Sequence, residues 1–329
     1  MFDVLVTVLT YVAAVLVTLV LIVMAVAYRF RHFQDMLLYH PQEPAGSRTA
    51  VDSPRDHGVS RYEVLDIRTP DGLTLRGFLV QPPTGASRCV ITYFHGNAGN
   101  VGHRIPIARL LAERVGATVV MMDYRGYGQS DSGSAAAAPS EAGLKVDANA
   151  VMEYVLGRDD LRRLPQFVMG TSLGGAVTIY LASQQRYDRV VAGFIVENSF
   201  TSISDMADVV FAPVIARRIP GWRGKLLTFT LSKIIKPVVL YIGWWSIDAV
   251  RHVTAPTLFI SAAKDELVPP SHVHALHDAA VKSSLRRFVT LPDSTHNDAP
   301  AAKGYAEHIS GFVHDVLQRR GHHLGSSTA

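Results

Sequence analysis

Gly170-Thr171-Ser172-Leu173-Gly174-Gly175 follows the apolar run Phe167-Val168-Met169 and leads into Ala176-Val177-Thr178-Ile179-Tyr180-Leu181-Ala182. A short buried strand therefore gives way to a helix at Ser172. In a nucleophile elbow a serine is held on a sharp, strained strand-to-helix turn, and the positions two before and two after it must be small because the two arms crowd each other. Gly170 and Gly174 meet that demand. Glycine and serine are common enough that a G-x-S-x-G pattern arises by chance in about one chain in ten of this length. A catalytic serine here therefore also requires an oxyanion loop, an acid and a histidine in suitable places.

The flanking chain supplies the scaffold. Continuous apolar runs at Val90–Phe94, Thr118–Met122, Phe167–Met169, Val191–Val196, Thr257–Ile260 and Phe288–Leu291 read as strands buried on both faces. Helical segments fall between them at Arg104–Val115, Glu141–Leu156, Ala176–Gln184, Ser271–Val281 and Ala301–Gln318. Upstream, Glu63–Arg68 and Leu73–Val80 alternate around Asp71-Gly72 and predict a hairpin at the start of the sheet. The pattern predicts an α/β-hydrolase fold: a mostly parallel, doubly wound sheet of eight strands. Its single domain would span 62–320, followed by a disordered tail at 321–329.

About sixty residues separate the strand ending near Val196 from the one starting at Thr257, where a crossover needs about a dozen. The insertion, about 201–253, holds Phe211, Trp222, Phe229, Tyr241, Trp244 and Trp245, with seven basic residues against three acidic ones. That excess of four equals the net charge of the whole chain, +4. It reads as a helical cap over the active site, with extra core packing or a second membrane span as alternatives. Lys233 and Lys236 count against the span, because charges at bilayer depth are expensive.

The 329-residue chain is 48% hydrophobic, ample for one sizeable core, and has a positive mean hydropathy unusual for a soluble enzyme. The N-terminus explains much of this. From Val4 to Ala27 no residue is charged, and such a segment spans about 36 Å as a helix, enough to cross a hydrocarbon core of about 30 Å. The basic residues Arg29 and Arg31 follow the span rather than precede it, and no small-x-small site follows, so a retained anchor at 1–28 is expected rather than a cleaved signal peptide. An irregular linker arm follows at 29–61. The positive-inside rule puts the Arg29 side, and with it the catalytic domain, in the cytosol; a luminal or extracytoplasmic domain is the alternative. A single cysteine, Cys89, excludes an intrachain disulfide and reads as a buried structural thiol. The basic residues are scattered without an aromatic-basic motif, which argues against nucleic acid.

A serine hydroxyl is a poor nucleophile at neutral pH and needs a base within reach and an acid to orient it, in the chain order Ser, acid, His. Asp265 lies in the polar loop after the strand at Thr257, with Glu266 and Glu197 as competitors. His296 follows the last strand. Oxyanion donors are expected from the Leu173 N–H and from the Gly-rich turn His95-Gly96-Asn97-Ala98-Gly99-Asn100, with the Asn97 N–H preferred and Ala98 as the alternative. His272, His274 and His277 share one helix without a supporting carboxylate set, and read as a solvated face rather than a metal site.

Tyr93–Asn100, Asp123-Tyr124-Arg125-Gly126-Tyr127-Gly128, the Ser172 elbow, Glu197–Ile203 and Thr295-His296-Asn297-Asp298 together resemble the membrane-anchored serine hydrolases of the α/β-hydrolase domain-containing protein 13 type, related to the fungal bud-emergence suppressor hydrolases. The resemblance covers roughly Tyr62 to Gln318. It implies a serine hydrolase with Ser172, Asp265 and His296 as its triad, an N-terminal anchor, and a catalytic domain on the far side of the membrane, opposite to the charge rule. The insertion is longer and more apolar than the family pattern.

The sequence thus predicts a membrane-anchored hydrolase of esters or thioesters, acting on lipid-like or acylated substrates through an acyl-enzyme. No cofactor and no metal are expected. A serine peptidase on the same scaffold and a non-catalytic, membrane-tethered interaction protein are the alternatives.

Overall fold

The six apolar runs become the parallel core of one sheet. The computed structural model describes residues 2–134, 136–236 and 240–326, with the side chains of 2–5, 8, 9, 27, 28, 31, 32 and 321–326 outside that description. β1 (Tyr62–Arg68) and β2 (Thr74–Val80) form the expected antiparallel hairpin. β3 (Cys89–Phe94), β4 (Ala117–Met122), β5 (Gln166–Thr171), β6 (Gly193–Glu197), β7 (Thr257–Ala262) and β8 (Arg286–Leu291) complete eight strands in the order β1-β2-β4-β3-β5-β6-β7-β8. β2 pairs with β4 antiparallel, and every pairing from β4 to β8 is parallel. At the β2–β4 crossing a Cβ on Gly77 would lie 2.0 Å from the Met121 carbonyl oxygen, so that position admits no side chain.

Covering helices are α2 (Ile105–Arg114), α3 (Glu141–Gly157), α4 (Leu173–Ala182), α5 (Gln185–Asp188), α9 (Pro270–Ala279) and α10 (Tyr305–Ser326), with α1, α6, α7 and α8 introduced below. Phe167, Phe194, Phe259 and Phe312 are buried with Val and Ile of β3–β7, giving one continuous core. Cys89 is fully buried in it, and burial pushes its thiol up to about 12, out of any nucleophilic range. Consecutive parallel strands β3, β4 and β5 place β4 on one side of β3 and β5 on the other. Such a reversal, at the carboxyl ends of β3 and β5, is where ligands bind in open α/β sheets. The His95 turn leaves β3 there and the Ser172 turn leaves β5.

Three expectations need correction. The N-terminal helix α1 runs unbroken over Phe2–Leu38, so the arm expected from residue 29 is helical for its first ten residues. Arg29 and Arg31 do not stop a helix; the first breaker is Pro41, which restricts the residue before it. The triple-histidine face of α9 is solvated only in part: His274 is exposed and His277 half-buried, but His272 is buried against Thr201. At the other terminus, α10 runs on to Ser326, through the start of the stretch read as a disordered tail; 327–329 lie outside the described residues.

The chain divides into two compact units, one of Met1–Leu38 with Asp208–Gly243, the other of Tyr39–Ala207 with Trp244–Ala329. The flanks of the insertion thus belong with the sheet. Trp244 is buried there, its indole N–H donating to the Tyr39 hydroxyl at 3.0 Å, and α8 (Ser246–Ala249) follows it. In the first unit, α6 (Ile203–Arg218, entering from the other unit) and α7 (Trp222–Thr230) carry the insertion, and the Tyr241 N–H donates to Gln34 of α1 at 2.8 Å. Among the described residues no helix is long and apolar enough to cross a membrane. The expected span 4–27 includes residues 4, 5, 8, 9 and 27, whose side chains lie outside the described residues.

Candidate active site

Ser172 has φ 56° and ψ −118°, a conformation that side chains resist and that persists only where the surroundings enforce it. The enforcement is visible on both arms. A Cβ on Gly170 would lie 2.0 Å from the Gly174 carbonyl oxygen, and one on Gly174 would lie 1.9 Å from the Phe94 carbonyl oxygen. β5, α4 and the end of β3 therefore touch through bare backbone. The Ser172 N–H donates to the Glu197 carbonyl at 2.9 Å, and its carbonyl accepts the Ser199 hydroxyl at 2.9 Å. Its own hydroxyl does not cap α4.

The acid and base meet as the spacing predicts. His296 Nδ1 lies 2.7 Å from Asp265 Oδ2, with both side chains almost fully buried. The other oxygen, Oδ1, accepts the N–H groups of Leu267 and Val268 at 2.9 and 2.7 Å. Asp265 is thus fixed by its own loop while it orients the imidazole, leaving Nε2 for a reacting group. The competing acids take other work. Glu266 accepts the main-chain N–H of His296 at 3.2 Å, not its ring. Glu197 is buried and accepts the hydroxyls of Thr171 and Tyr305; burial pushes its carboxyl upward.

Asn198 and Ser199 join the two halves. The Asn198 side chain donates to the His296 carbonyl at 3.1 Å and accepts the Ala262 N–H at 2.8 Å. With Ser199 holding the Ser172 carbonyl, the two consecutive residues after β6 contact both the elbow and the histidine loop. Sequence reasoning left them unassigned beyond their part in the family pattern. A usable signal was present, since Asn tolerates positive φ and Asn198 sits at 46° directly after a strand.

The expected oxyanion donors fall on either side of Ser172. Leu173 is the first residue of α4. The 95–100 turn runs alongside the serine, a Cβ on Gly96 reaching to 3.6 Å of the Ser172 Cβ. Asn97 sits in this turn, its carbonyl accepting the His40 N–H at 3.0 Å and the Tyr127 hydroxyl at 2.9 Å. The alternative, Ala98, bridges His40 as a parallel strand pair. The arm after α1 is therefore stitched to this turn: the Gly99 N–H donates to the Glu43 carbonyl, and the buried Asn100 amide donates to the carbonyls of Ser47 and Ala50.

Beneath the turn lies a buried polar pair that the sequence did not reveal as such. His95 Nδ1 lies 2.7 Å from the Gly96 carbonyl and donates to it, while Nε2 stands 3.6 Å from Asp123 Oδ1, whose nearer partner is the Val101 N–H at 2.9 Å. Burial lowers the imidazole to about 3 and raises the carboxyl to about 7, so desolvation rather than ion pairing governs both. Arg125, in the same motif as Asp123, is bound by Asp147 and Asp71 and serves the scaffold. Among the described residues no group of three or more His, Cys, Asp and Glu is placed to hold a metal ion.

A serine on such an elbow and an imidazole oriented by a carboxylate are the parts that acyl transfer uses. Comparison with known proteins agrees at the level of family. A family model described as "Serine aminopeptidase, S33" matches residues 85–241. An esterase of Pyrococcus furiosus shares the fold at TM-score 0.60 and 17% identity, over 86% of this chain and 97% of that one. The lysophosphatidylserine lipase ABHD12 of Macaca fascicularis is 31% identical over 217 residues, 65% of this chain and 51% of that protein. Protein bem46 of Schizosaccharomyces pombe is 37% identical over 283 residues, 85% of this chain and 86% of that one. The chain belongs to the bem46-related family of α/β-hydrolase proteins.

Proposed function

We propose that this α/β-hydrolase is a serine hydrolase cleaving carboxylic ester or thioester bonds in lipid-like or acylated substrates. The observation that carries the reading is the 2.7 Å pair of His296 and Asp265, tied through Asn198 and Ser199 to the strained turn at Ser172. Ser172 Oγ attacks the substrate carbonyl as His296 Nε2 takes its proton. The N–H groups of Leu173 and Asn97 receive the oxyanion. His296 returns the proton to the leaving oxygen or sulfur, and water, activated by the same imidazole, releases the acid from the acyl-enzyme. Asp265 stabilises the imidazolium without taking its proton.

The substrate class follows from two supports: the lipase name of one relative and the uncharged stretch Val4–Ala27 within α1. We read that stretch as a membrane anchor, and the charge rule then places the hydrolase unit in the cytosol. A fluorophosphonate probe should label the wild-type chain and not Ser172→Ala. Equal labelling of both, or none of either, overturns the assignment. The description of the matching family model favours a peptidase as the second reading. A peptide amide and its matched ester, assayed in parallel, distinguish the two.

A further inference from the structure

The unit containing Asp208–Gly243 exposes apolar side chains that water does not favour. Phe211 and Val214 on α6 and Trp222, Leu226 and Phe229 on α7 are all exposed, Trp222 by 70%. Their spacings of three, four and seven residues put each set along one side of its helix. The two helices are joined by a tight turn, where a Cβ on Gly224 would lie 1.8 Å from the Ile219 carbonyl oxygen.

The charges around these side chains are mostly positive. Arg217, Arg218, Arg223, Lys225 and Lys233 are exposed beside them. The one carboxylate of the segment, Asp208, is engaged by Lys236 at 2.5 Å and by Ser232. The same compact unit contains α1, whose Leu16, Val20, Val23 and other apolar side chains are also exposed. Exposed Trp and Phe flanked by Arg and Lys suit a lipid interface, and an excess of cations favours anionic headgroups. A protein partner would be expected to meet a face of mixed charge.

We infer that the α6–α7 segment is a second membrane contact, an interfacial surface for anionic phospholipid that lies flat while α1 anchors. The inference deepens the anchored reading above and rests on it. It assigns the long insertion a role in holding the enzyme on its lipid surface.

The test uses the full-length chain with vesicles of phosphatidylcholine, alone or with phosphatidylserine, carrying brominated acyl chains. Co-flotation reports the anchor, and quenching of Trp222 emission reports the α6–α7 segment. In the mixed vesicles, bromolipid should remove more than half of the Trp222 contribution, defined as wild type minus Trp222→Phe. The loss should be smaller in phosphatidylcholine alone, and smaller again in mixed vesicles for Arg223→Glu with Lys225→Glu. Co-flotation with an unquenched Trp222 overturns the inference and leaves the anchor standing. So does a Trp222 that is shielded only as the chain self-associates, which identifies a second copy as the occupant. A chain that neither floats nor is quenched overturns both readings.

Discussion

The Asn198 side-chain amide donates to the main-chain carbonyl of His296 at 3.1 Å, while its oxygen accepts the N–H of Ala262 on β7 at 2.8 Å. One fully buried side chain therefore fixes the height of the histidine loop against the sheet, from a residue next to the one whose carbonyl holds the Ser172 N–H. The Ser172 turn and the His296 loop thus share a common support after β6.

Replacing Asn198 separates that support from backbone strain. Asn198→Ala loses two buried hydrogen bonds and places a Cβ residue without local compensation at φ 46°, a combined cost of about 2–4 kcal/mol. Asn198→Gly relieves the strain but not the lost bonds. Chemical denaturation should show Gly more stable than Ala. Steady-state kinetics on a chromogenic ester should show both with kcat reduced about tenfold or more and KM little changed. Recovery of kcat in the Gly variant would mean that strain, not the His296 contact, is what Asn198 supplies.

The elbow tolerates no side chain at Gly174. Gly174→Ala drives a Cβ to 1.9 Å of the Phe94 carbonyl, backbone that cannot swing aside, and also crowds the His95 carbonyl at 2.8 Å. The expected destabilisation is more than about 3 kcal/mol, seen as loss of soluble, cooperatively unfolding protein. Gly157→Ala is the matched control. Nothing lies within 4 Å of its added Cβ, at the exposed end of α3, and it should gain about 0.5–1 kcal/mol.

The His95–Asp123 pair has a pH signature of opposed slopes. His95 is held neutral, at about 3 against its ordinary 6.5. Between those values the unfolded chain binds a proton that the folded chain does not, and stability rises with pH. Asp123 is held at about 7 against its ordinary 3.8. Over that window the folded chain keeps a proton that the unfolded chain has lost, and stability falls as pH rises. Each slope reaches at most about 1.4 kcal/mol per pH unit, so the two offset between roughly pH 4 and 6.5. Asp123→Asn removes the falling slope alone. Urea denaturation at pH 4.5 and 6.5 should show the variant gaining about 2 kcal/mol more than wild type over that interval. Parallel pH profiles for the two proteins would place a charged Asp123 beneath the oxyanion turn.

Much of this architecture was legible because burial on both faces leaves continuous apolar runs, and all six appear as strands. Register was harder. The run Val191–Val196 becomes β6 at Gly193–Glu197, because the buried Val191 and Ala192 belong to the turn that follows Tyr187. α4 begins at Leu173 rather than Ala176, since the elbow itself starts the helix. The turn at Ser172 and the pairing of Asp265 with His296 follow chain order, because each of these residues sits where a strand ends. Asn198, Ser199 and Tyr305 were not, since their partners lie 98, 27 and 108 residues away and polar contacts at such separation leave no local pattern. Trp244 was grouped with the insertion by composition alone, yet it is buried on Tyr39.

The arm between α1 and the sheet gives a last consequence. Asn100 is fully buried; its amide binds the carbonyls of Ser47 and Ala50 at 2.8 and 2.9 Å, and its oxygen accepts the His103 N–H at 3.2 Å. The arm also meets Asn97 and Ala98 through His40, so loosening it loosens the turn expected to supply an oxyanion donor. Asn100→Ala should cost about 2–3 kcal/mol from three unpaired groups. Amide exchange over residues 40–50 should accelerate at least tenfold under conditions where the sheet stays protected. If the arm positions the turn, fluorophosphonate labelling of Ser172 should slow in the same variant, with the Asp265–His296 pair untouched. Faster exchange with an unchanged labelling rate would reduce the arm to a strap. Slower labelling without faster exchange would locate the effect in the turn itself, at His103, and separate the arm from catalysis.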